Sequence, residues 1–554
     1  MKTQLLDYKQ LLKEEEQQEE QDEDENDNNY EDYEEDNNNN NSEHLMRTRT
    51  FPRTLTDPLA HVIDYITDTD GEWTKQMLED YGKIDDKGHD GDVPEQPAFA
   101  TDIIFWQMLT IGFLLGTFIG LVALVFMNII DEVPLKWSQT DSFENPDDGK
   151  FYAGKKYWIL VTTGAGLAVG IIRRVVNYPE NLPGFFKEVN TCHIDPKWAL
   201  PTAVISALSL AGGANLGPEQ AMGNVGGGLA TVICDYFRFE DHETKNLLVL
   251  TGMSGAMGAL FPTPLLGVLM IHELGNPPRG FMESTLLMSV AAIMAFVVYY
   301  QIEEKTWLER LTPNYTLSSL WEFDLWHCAT AVVIGLVSSG CSLGILLGIG
   351  IVKQILFRIK EKCDNISFLN GQIIICTLGG LIIGLINYAV PLSVGNGHQS
   401  STSIIKHFET YSTHLLLCTA FSRAFTLAIS MNCGFIGGFV FPLLSIGIIA
   451  GVIAHKEYDY LPLGLTIGCF LAAMPSGICP MPFTLVGISC FLLYFGLQQT
   501  VPIFISCITA YLMFTGIGVM GLLQKRAQEA EKQKKKKKTK SNFEGYKQKA
   551  GRFN

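Results

Sequence analysis

Between Ile103 and Ile130 the chain carries no charged residue, a run longer than the roughly 20 apolar residues that a bilayer-crossing helix requires. Such a run commits the chain to lipid. Further apolar segments follow at about 157–176, 198–236, 246–271, 284–300, 325–357, 371–392, 414–454, 463–497 and 501–523. Several are too long for one crossing or are interrupted by glycine and proline, which predicts tilted and broken helices. Irregular backbone survives inside a bilayer only where protein or a water-filled cavity satisfies its polar groups.

The interruptions fall in four places: "NLGPEQ" (Asn215 to Gln220), "FPTPLL" (Phe261 to Leu266), "GFIGGFVFPLL" (Gly434 to Leu444) and "CPMPFTL" (Cys479 to Leu485). A glycine-rich break with a proline is followed by a Pro-x-Pro break, once in each half of the chain. "AMGALFPTPLLGVL" and "AMPSGICPMPFTLVG" also resemble one another, allowing one inserted residue. Broken segments at matching places predict an all-α polytopic membrane protein of two inverted-topology repeats, with its site where the repeats meet.

The formal charge of −18 says little about partners, because the acids crowd into Glu14 to Glu43. That tract is too polar to bury a core, and residues 1–45 are expected to form a disordered cytosolic tail. Residues 46–98 read as a cytosolic pre-membrane segment with a short helix at "DPLAHVIDYI", residues 99–525 as the membrane domain, and 526–554 as a basic cytosolic tail. The lysine run in that tail reads as solvated, with attraction to anionic cytoplasmic lipid as the alternative; no nucleic-acid partner is expected. The polar, acidic start does not fit a cleavable signal peptide, so the first span is expected to act as a signal anchor. The 12 cysteines form no CxxC pair, and neither a disulfide framework, a metal site nor a cofactor is indicated. Arg173, Arg174, the basic residues from Lys353 to Lys362 and the C-terminal lysines place both termini and these loops in the cytosol. Asn314 of "NYT" then lies outside, as a glycosylation acceptor.

Proline in the first turn of a helix, after a glycine that lets the chain turn, makes "LGPEQAMGNVGGG" a helix start within the membrane. "GGFVFPLL" reads the same way. Such starts expose free backbone N–H groups and the positive end of the helix dipole. Two aimed at one point make a moderate anion site, which permits release where a full lysine or arginine would hold too tightly. Gly226, Gly227 and Gly228 are expected to serve helix packing.

Taken in order, "GGANLGPEQAMGNVGGGLA", "LLVLTGMSGAMGALFPTPLLGVLMIHE", "GFIGGFVFPLLSIG" and "FLAAMPSGICPMPFTLVGI" resemble the CLC chloride channel and proton/chloride antiporter family over about residues 100–525. The resemblance implies a CLC-like homodimer with one anion pathway per subunit, eighteen helices per subunit and both termini cytosolic. It assigns the central anion to the amides of Phe439 and Val440, beside Gly438, Gly217 and Leu216. The family's outer glutamate falls on Leu216, which carries neither charge nor proton. Glu219, just beyond Pro218, is a gating candidate, either as a tethered anion that competes for the site or as a fixed helix cap. The family's cytoplasm-facing proton glutamate falls on Glu273, which also reads as an ordinary acid at a helix end beside His272. The family's pore serine loop falls on Pro179 to Pro183, which lacks serine and offers Glu180. Its pore tyrosine falls near Gly521, with Tyr511 close in sequence. The paired nucleotide-binding modules of many relatives have no counterpart.

The leading expectation is passive movement of chloride or another small anion, because Leu216 removes the outer proton acceptor. Proton-coupled antiport through Glu219 and Glu273 is the alternative, and a non-conducting scaffold a further one. The chain is not expected to be an enzyme. "GMSG" (Gly252 to Gly255) has the form used by intramembrane serine proteases, but Ser254 would need a histidine base such as His272, His398, His407 or His414.

Overall fold

The computed structural model describes residues 103–138, 157–179, 182–239, 241–278, 280–304, 321–364 and 370–516. The acidic tract, the pre-membrane segment, Glu180, Asn314, Gly521 and the basic tail lie outside the described residues. Sixteen α-helices are present among those described, and eight are long and apolar enough to cross a membrane. The chain is an all-α integral membrane protein.

The helices fall into two successive sets of eight. The first comprises α1 (Ile103–Ser138), α2 (Tyr157–Val175), α3 (Phe185–Thr191), α4 (Pro196–Ala211), α5 (Glu219–Tyr236), α6 (His242–Leu260), α7 (Pro264–Leu274) and α8 (Phe281–Glu303). The second comprises α9 (Trp326–Asp364), α10 (Gly371–Ala389), α11 (His398–Lys406), α12 (Thr413–Asn432), α13 (Val440–Glu457), α14 (Leu463–Ser476), α15 (Pro482–Leu492) and α16 (Leu497–Gly516). Their lengths run in parallel. From α1 against α9 onward they are 36 and 39, 19 and 19, 7 and 9, 16 and 20, 18 and 18, 19 and 14, 11 and 11, and 23 and 20 residues.

All four interruptions read from the sequence separate helices: α4 from α5, α6 from α7, α12 from α13, and α14 from α15. The two glycine-rich breaks begin alike. Gly213 and Gly434 both adopt left-handed backbone, with φ +84° and +104°, directly after the residue that caps the preceding helix. A side chain there would clash with its own backbone, and glycine avoids that cost. The long apolar run at 325–357 behaves differently from a broken segment. It lies within the single helix α9, whose 39 residues extend about 58 Å at 1.5 Å per residue, so it tilts or projects beyond a ~30 Å hydrocarbon layer.

Glycine sets how closely the helices cross. A Cβ added to Gly166 of α2 would fall 2.3 Å from the Cys376 carbonyl oxygen of α10, and one on Gly380 of α10 would fall 2.4 Å from the Thr162 carbonyl of α2. The two halves are joined along this crossing. Within the first half, Gly226 of α5 and Gly252 of α6 face each other, each 2.3 Å from the other's carbonyl by the same measure. Gly447 and Gly451 do the equivalent work between α13 and α14, against the backbone of Phe470 and Ile467. Gly227 packs on Ile194 and Gly228 on Ala199, so the triple glycine serves packing.

Gly226→Ala therefore forces two backbones apart and is expected to cost about 1–3 kcal/mol, the usual range for overpacking. Gly344→Ala, at a position with nothing within 4 Å, should be silent to within about 0.5 kcal/mol. Thermal melting of both variants in detergent compares them directly.

Candidate anion site

Five of the helices cap their own first turn. The side chains of Asp195, Asp241, Thr263, Asn370 and Ser412 accept from the backbone N–H groups of α4, α6, α7, α10 and α12. The starts of α5 and α13 have no such side chain; their capping positions are Pro218 and Phe439. Yet these two starts are deeply buried, and a buried helix end must be satisfied from elsewhere.

They are brought together. Gly217 and Gly438 form an isolated antiparallel bridge, each N–H donating to the other's carbonyl at 2.8 Å. Bonds between the two halves hold the approach on both sides. Asn215 Nδ2 donates to the Arg423 carbonyl at 2.7 Å, Asn387 Nδ2 to the Gly213 carbonyl at 3.1 Å, and Arg173 to the Gly434 carbonyl at 3.2 Å. The Ile436 N–H donates to Ser209 Oγ at 3.3 Å.

Into this junction projects Glu219, the first residue of α5, which is 1% exposed. The Val440 N–H, at the start of the opposite half's α13, donates to its Oε1 at 2.8 Å. The amides of Phe441 and of Glu219 itself also face the carboxylate, while Oε2 has no partner at hydrogen-bond geometry. The carboxylate lies over both glycines: a Cβ on Gly438 would fall 1.9 Å from Glu219 Cδ and Oε1, and one on Gly217 2.0 Å from Oε2. A negative group thus rests where two positive helix ends meet.

The walls are apolar. The Phe441 ring lies near Gly217 and against Phe261, with ring centroids 6.4 Å apart. Cys479 is fully buried and within electrostatic reach of Glu219. Leu216 is fully buried over Gly437, and the Phe439 ring packs on Phe186, with centroids 5.1 Å apart. Of the residues singled out in the sequence, Gly217, Gly438, Val440, Leu216 and Glu219 all meet here. Phe439 flanks them, while the amides turned to the carboxylate are those of Val440 and Phe441.

Glu273 lies elsewhere. It ends α7 and caps α15, whose own capping position, Met481, supplies no side chain. Its Oε1 accepts from the Phe483 N–H and its Oε2 from the Thr484 N–H, both at 2.8 Å, and the Thr484 hydroxyl also donates to Oε2. His272 Nε2 pairs with the Thr285 hydroxyl at 2.8 Å. Ser254 is fully buried and donates to the Met288 carbonyl at 3.4 Å, so its hydroxyl serves a helix contact. Tyr511 lies on α16 and is half-buried.

Two buried charges escaped the sequence reading. Arg423 of α12 is fully buried and donates to the carbonyls of Leu392 and Gly395 and to the Ser400 hydroxyl. It fastens the loop before α11 to the wall behind Asn215. Glu188 of α3, 3% exposed, accepts from Asn224 Nδ2 at 2.6 Å. Nothing in "FFKEVN" distinguishes Glu188 from the exposed Lys187 beside it.

Known proteins agree with this architecture. A slow cyanobacterial Cl−/H+ antiporter superimposes with a TM-score of 0.62 at 17% identity, covering 76% of this chain and 97% of that one. A CLC-type fluoride/proton antiporter gives 0.54 at 18% identity, covering 74% and 95%. Among sequences, the H(+)/Cl(-) exchange transporter ClcA of Vibrio campbellii is 27% identical over 47% of this chain, a match spanning 53% of that relative's length. The putative ion-transport protein YfeO of Escherichia coli is 22% identical over 56% of this chain and 71% of its own. The family described as voltage gated chloride channel matches residues 164–515, and with two matched half-bundles meeting at paired helix starts, this chain belongs to that family, the CLC proteins.

Proposed function

We propose that the chain moves chloride or another small monovalent anion across a membrane, one pathway per subunit of a homodimer with cytosolic termini, through the junction of Gly217 and Gly438. The observation that carries this reading is the position of the Glu219 carboxylate on the Val440 N–H. A carboxylate oxygen presents to an N–H donor what a halide presents, a compact negative acceptor. Glu219 is then a tethered anion occupying the site in competition with the transported one. A buried carboxylate between apolar walls is costly unless paired, and here the helix ends supply the compensation.

The passive expectation rested on Leu216, which cannot take up a proton. Glu219 returns a titratable group to the same junction from the next turn of chain, so anion movement is linked to its protonation. Once neutral, Glu219 no longer competes as an anion for the amides. Glu273, by contrast, has both oxygens committed to the start of α15, and we assign it to holding the two halves together.

Glu219→Gln and Glu219→Ala should each raise apparent chloride affinity at least about tenfold, equivalent to about 1.4 kcal/mol, read by titration calorimetry on purified protein. Chloride binding to the unsubstituted protein should strengthen as pH falls, because protonation removes the competitor, and should be flat with pH in Glu219→Ala. Chloride efflux from vesicles that is absent in all three proteins would instead support a non-conducting scaffold. Glu273→Gln should lower thermal stability by about 1–2 kcal/mol, the scale of a lost helix cap, while leaving chloride efflux in place.

A further inference from the structure

The spanning helix α13 runs from the junction at Val440 to Glu457, about 25 Å along its axis, and three apolar spans stop where it ends. Those of α9 and α16 begin at Trp326 and Leu497, and that of α13 finishes at Glu457. Contacts tie the three ends together. The Trp326 ring lies 6.2 Å from that of Tyr460, just past α13, and the Trp321 ring lies 6.1 Å from that of Phe495, just before α16. Gln499 of α16 adds a bond from Nε2 to the Trp321 carbonyl at 2.8 Å. Because α9 finishes among the basic residues from Lys353 to Lys362, the positive-inside pattern puts its start on the non-cytosolic face. At this level the hydrocarbon layer gives way to headgroups.

Three exposed rings line up here. Trp326, Tyr460 and Tyr458 follow one another at centroid spacings of 6.2 and 6.0 Å, with neighbouring planes turned by 45° and 67°. A cation resting on Tyr460 is then within reach of a second ring, since a ring face attracts positive charge out to about 6 Å. Both sides of the patch are held in place. His327, 2% exposed, packs behind Trp326 with centroids 4.3 Å apart and takes the Asp324 N–H on its Nδ1 at 2.9 Å. The loop carrying the tyrosines is pinned by His455 Nδ1 on the Leu461 carbonyl at 2.6 Å and by the Leu461 N–H on the Tyr458 carbonyl at 2.8 Å. Exposed acids flank the rings in both segments, Glu322 and Asp324 before Trp326, Glu457 and Asp459 around Tyr458. Across 321–327 and 455–460 the only lysine or arginine is Lys456, whose Nζ is spent on the carbonyls of Phe408 and Glu409 at 2.9 and 3.1 Å. Leu325 and Leu497, 83% and 93% exposed, complete the surface with apolar groups that water covers at a cost.

We propose that this patch seats the quaternary ammonium headgroup of a choline phospholipid in the non-cytosolic leaflet. A trimethylammonium group has no N–H to donate, so ring faces and a negative surround recognise it better than hydrogen-bond acceptors do. The four acids attract that cation and repel an anionic headgroup. An ethanolamine headgroup donates to water and leaves it for ring faces at greater cost. The bare leucines separate a lipid from soluble choline: acyl chains beside the headgroup cover Leu325 and Leu497, which a free cation leaves exposed. The site lies at the other end of α13 from the anion junction and does not depend on how Glu219 acts.

The test is native mass spectrometry of the full-length protein released from detergent and titrated with phosphatidylcholine, phosphatidylethanolamine and phosphatidylglycerol of identical acyl chains. As the first bound lipid, phosphatidylcholine should be favoured at least about fivefold over phosphatidylglycerol and about threefold over phosphatidylethanolamine. Trp326→Ala and Tyr460→Ala should each weaken phosphatidylcholine binding at least about fivefold, whereas Tyr460→Phe, which keeps the ring face, should stay within about twofold. Asp324→Asn combined with Asp459→Asn should narrow the preference over phosphatidylglycerol, a change that lost packing would not give. Equal affinity for the three headgroups, or phosphatidylcholine binding unmoved by both alanine variants, overturns the proposal. So does soluble phosphocholine that binds as tightly as the lipid, or a lysine-rich peptide that binds at the rings, judged by its loss in Trp326→Ala, where phosphatidylcholine does not.

Discussion

A single carboxylate between two helix starts is the interaction on which the rest of this structure depends. The α5 and α13 starts carry partial positive charge and unsatisfied N–H groups, and neither is capped by its own preceding side chain. Brought together at Gly217 and Gly438 they would repel without a negative group between them. Glu219 supplies that group, yet only Oε1 makes a good hydrogen bond. The arrangement is stable enough to form and incomplete enough to be exchanged, the balance a transported anion requires.

The surrounding fold exists to deliver those two starts to one place. Two sets of eight helices repeat in order and length, joined where glycines let α2 and α10 touch backbone to backbone. The contacts around the breaks cross between halves: Asn215 reaches α12, Asn387 reaches the loop after α4, Arg173 reaches the loop after α12, and Glu273 caps α15. Arg423 spends its charge on carbonyls of the loop before α11. It acts as a rivet, and the junction itself holds no lysine or arginine side chain among the residues that meet there.

How much of this could be read from the sequence follows from what each feature depends on. The four breaks were legible because glycine and proline act locally, and their repetition gave the two halves. The convergence of Gly217 and Gly438 was legible as an expectation, since buried helix starts need a shared partner. The partner of the Glu219 carboxylate was not, because it lies 221 residues away at Val440. Glu273 read either as the family's proton glutamate or as an ordinary acid at a helix end, and its bond to the start of α15 was hidden because that partner is equally remote. Glu188 was invisible: a charged residue next to Lys187 after a proline has the pattern of a surface turn, and only the insertion of α3 against α5 and α7 buries it.

A crystal or cryo-electron microscopy structure of Glu219→Ala determined in bromide, with the anion located by its anomalous or difference signal, is the decisive measurement. One bromide per subunit is expected in the space vacated by the carboxylate, within hydrogen-bond reach of the Val440 and Phe441 amides and between Gly217 and Gly438. A junction that stays without bromide at saturating salt, or bromide bound only at other positions, would contradict the tethered-anion reading.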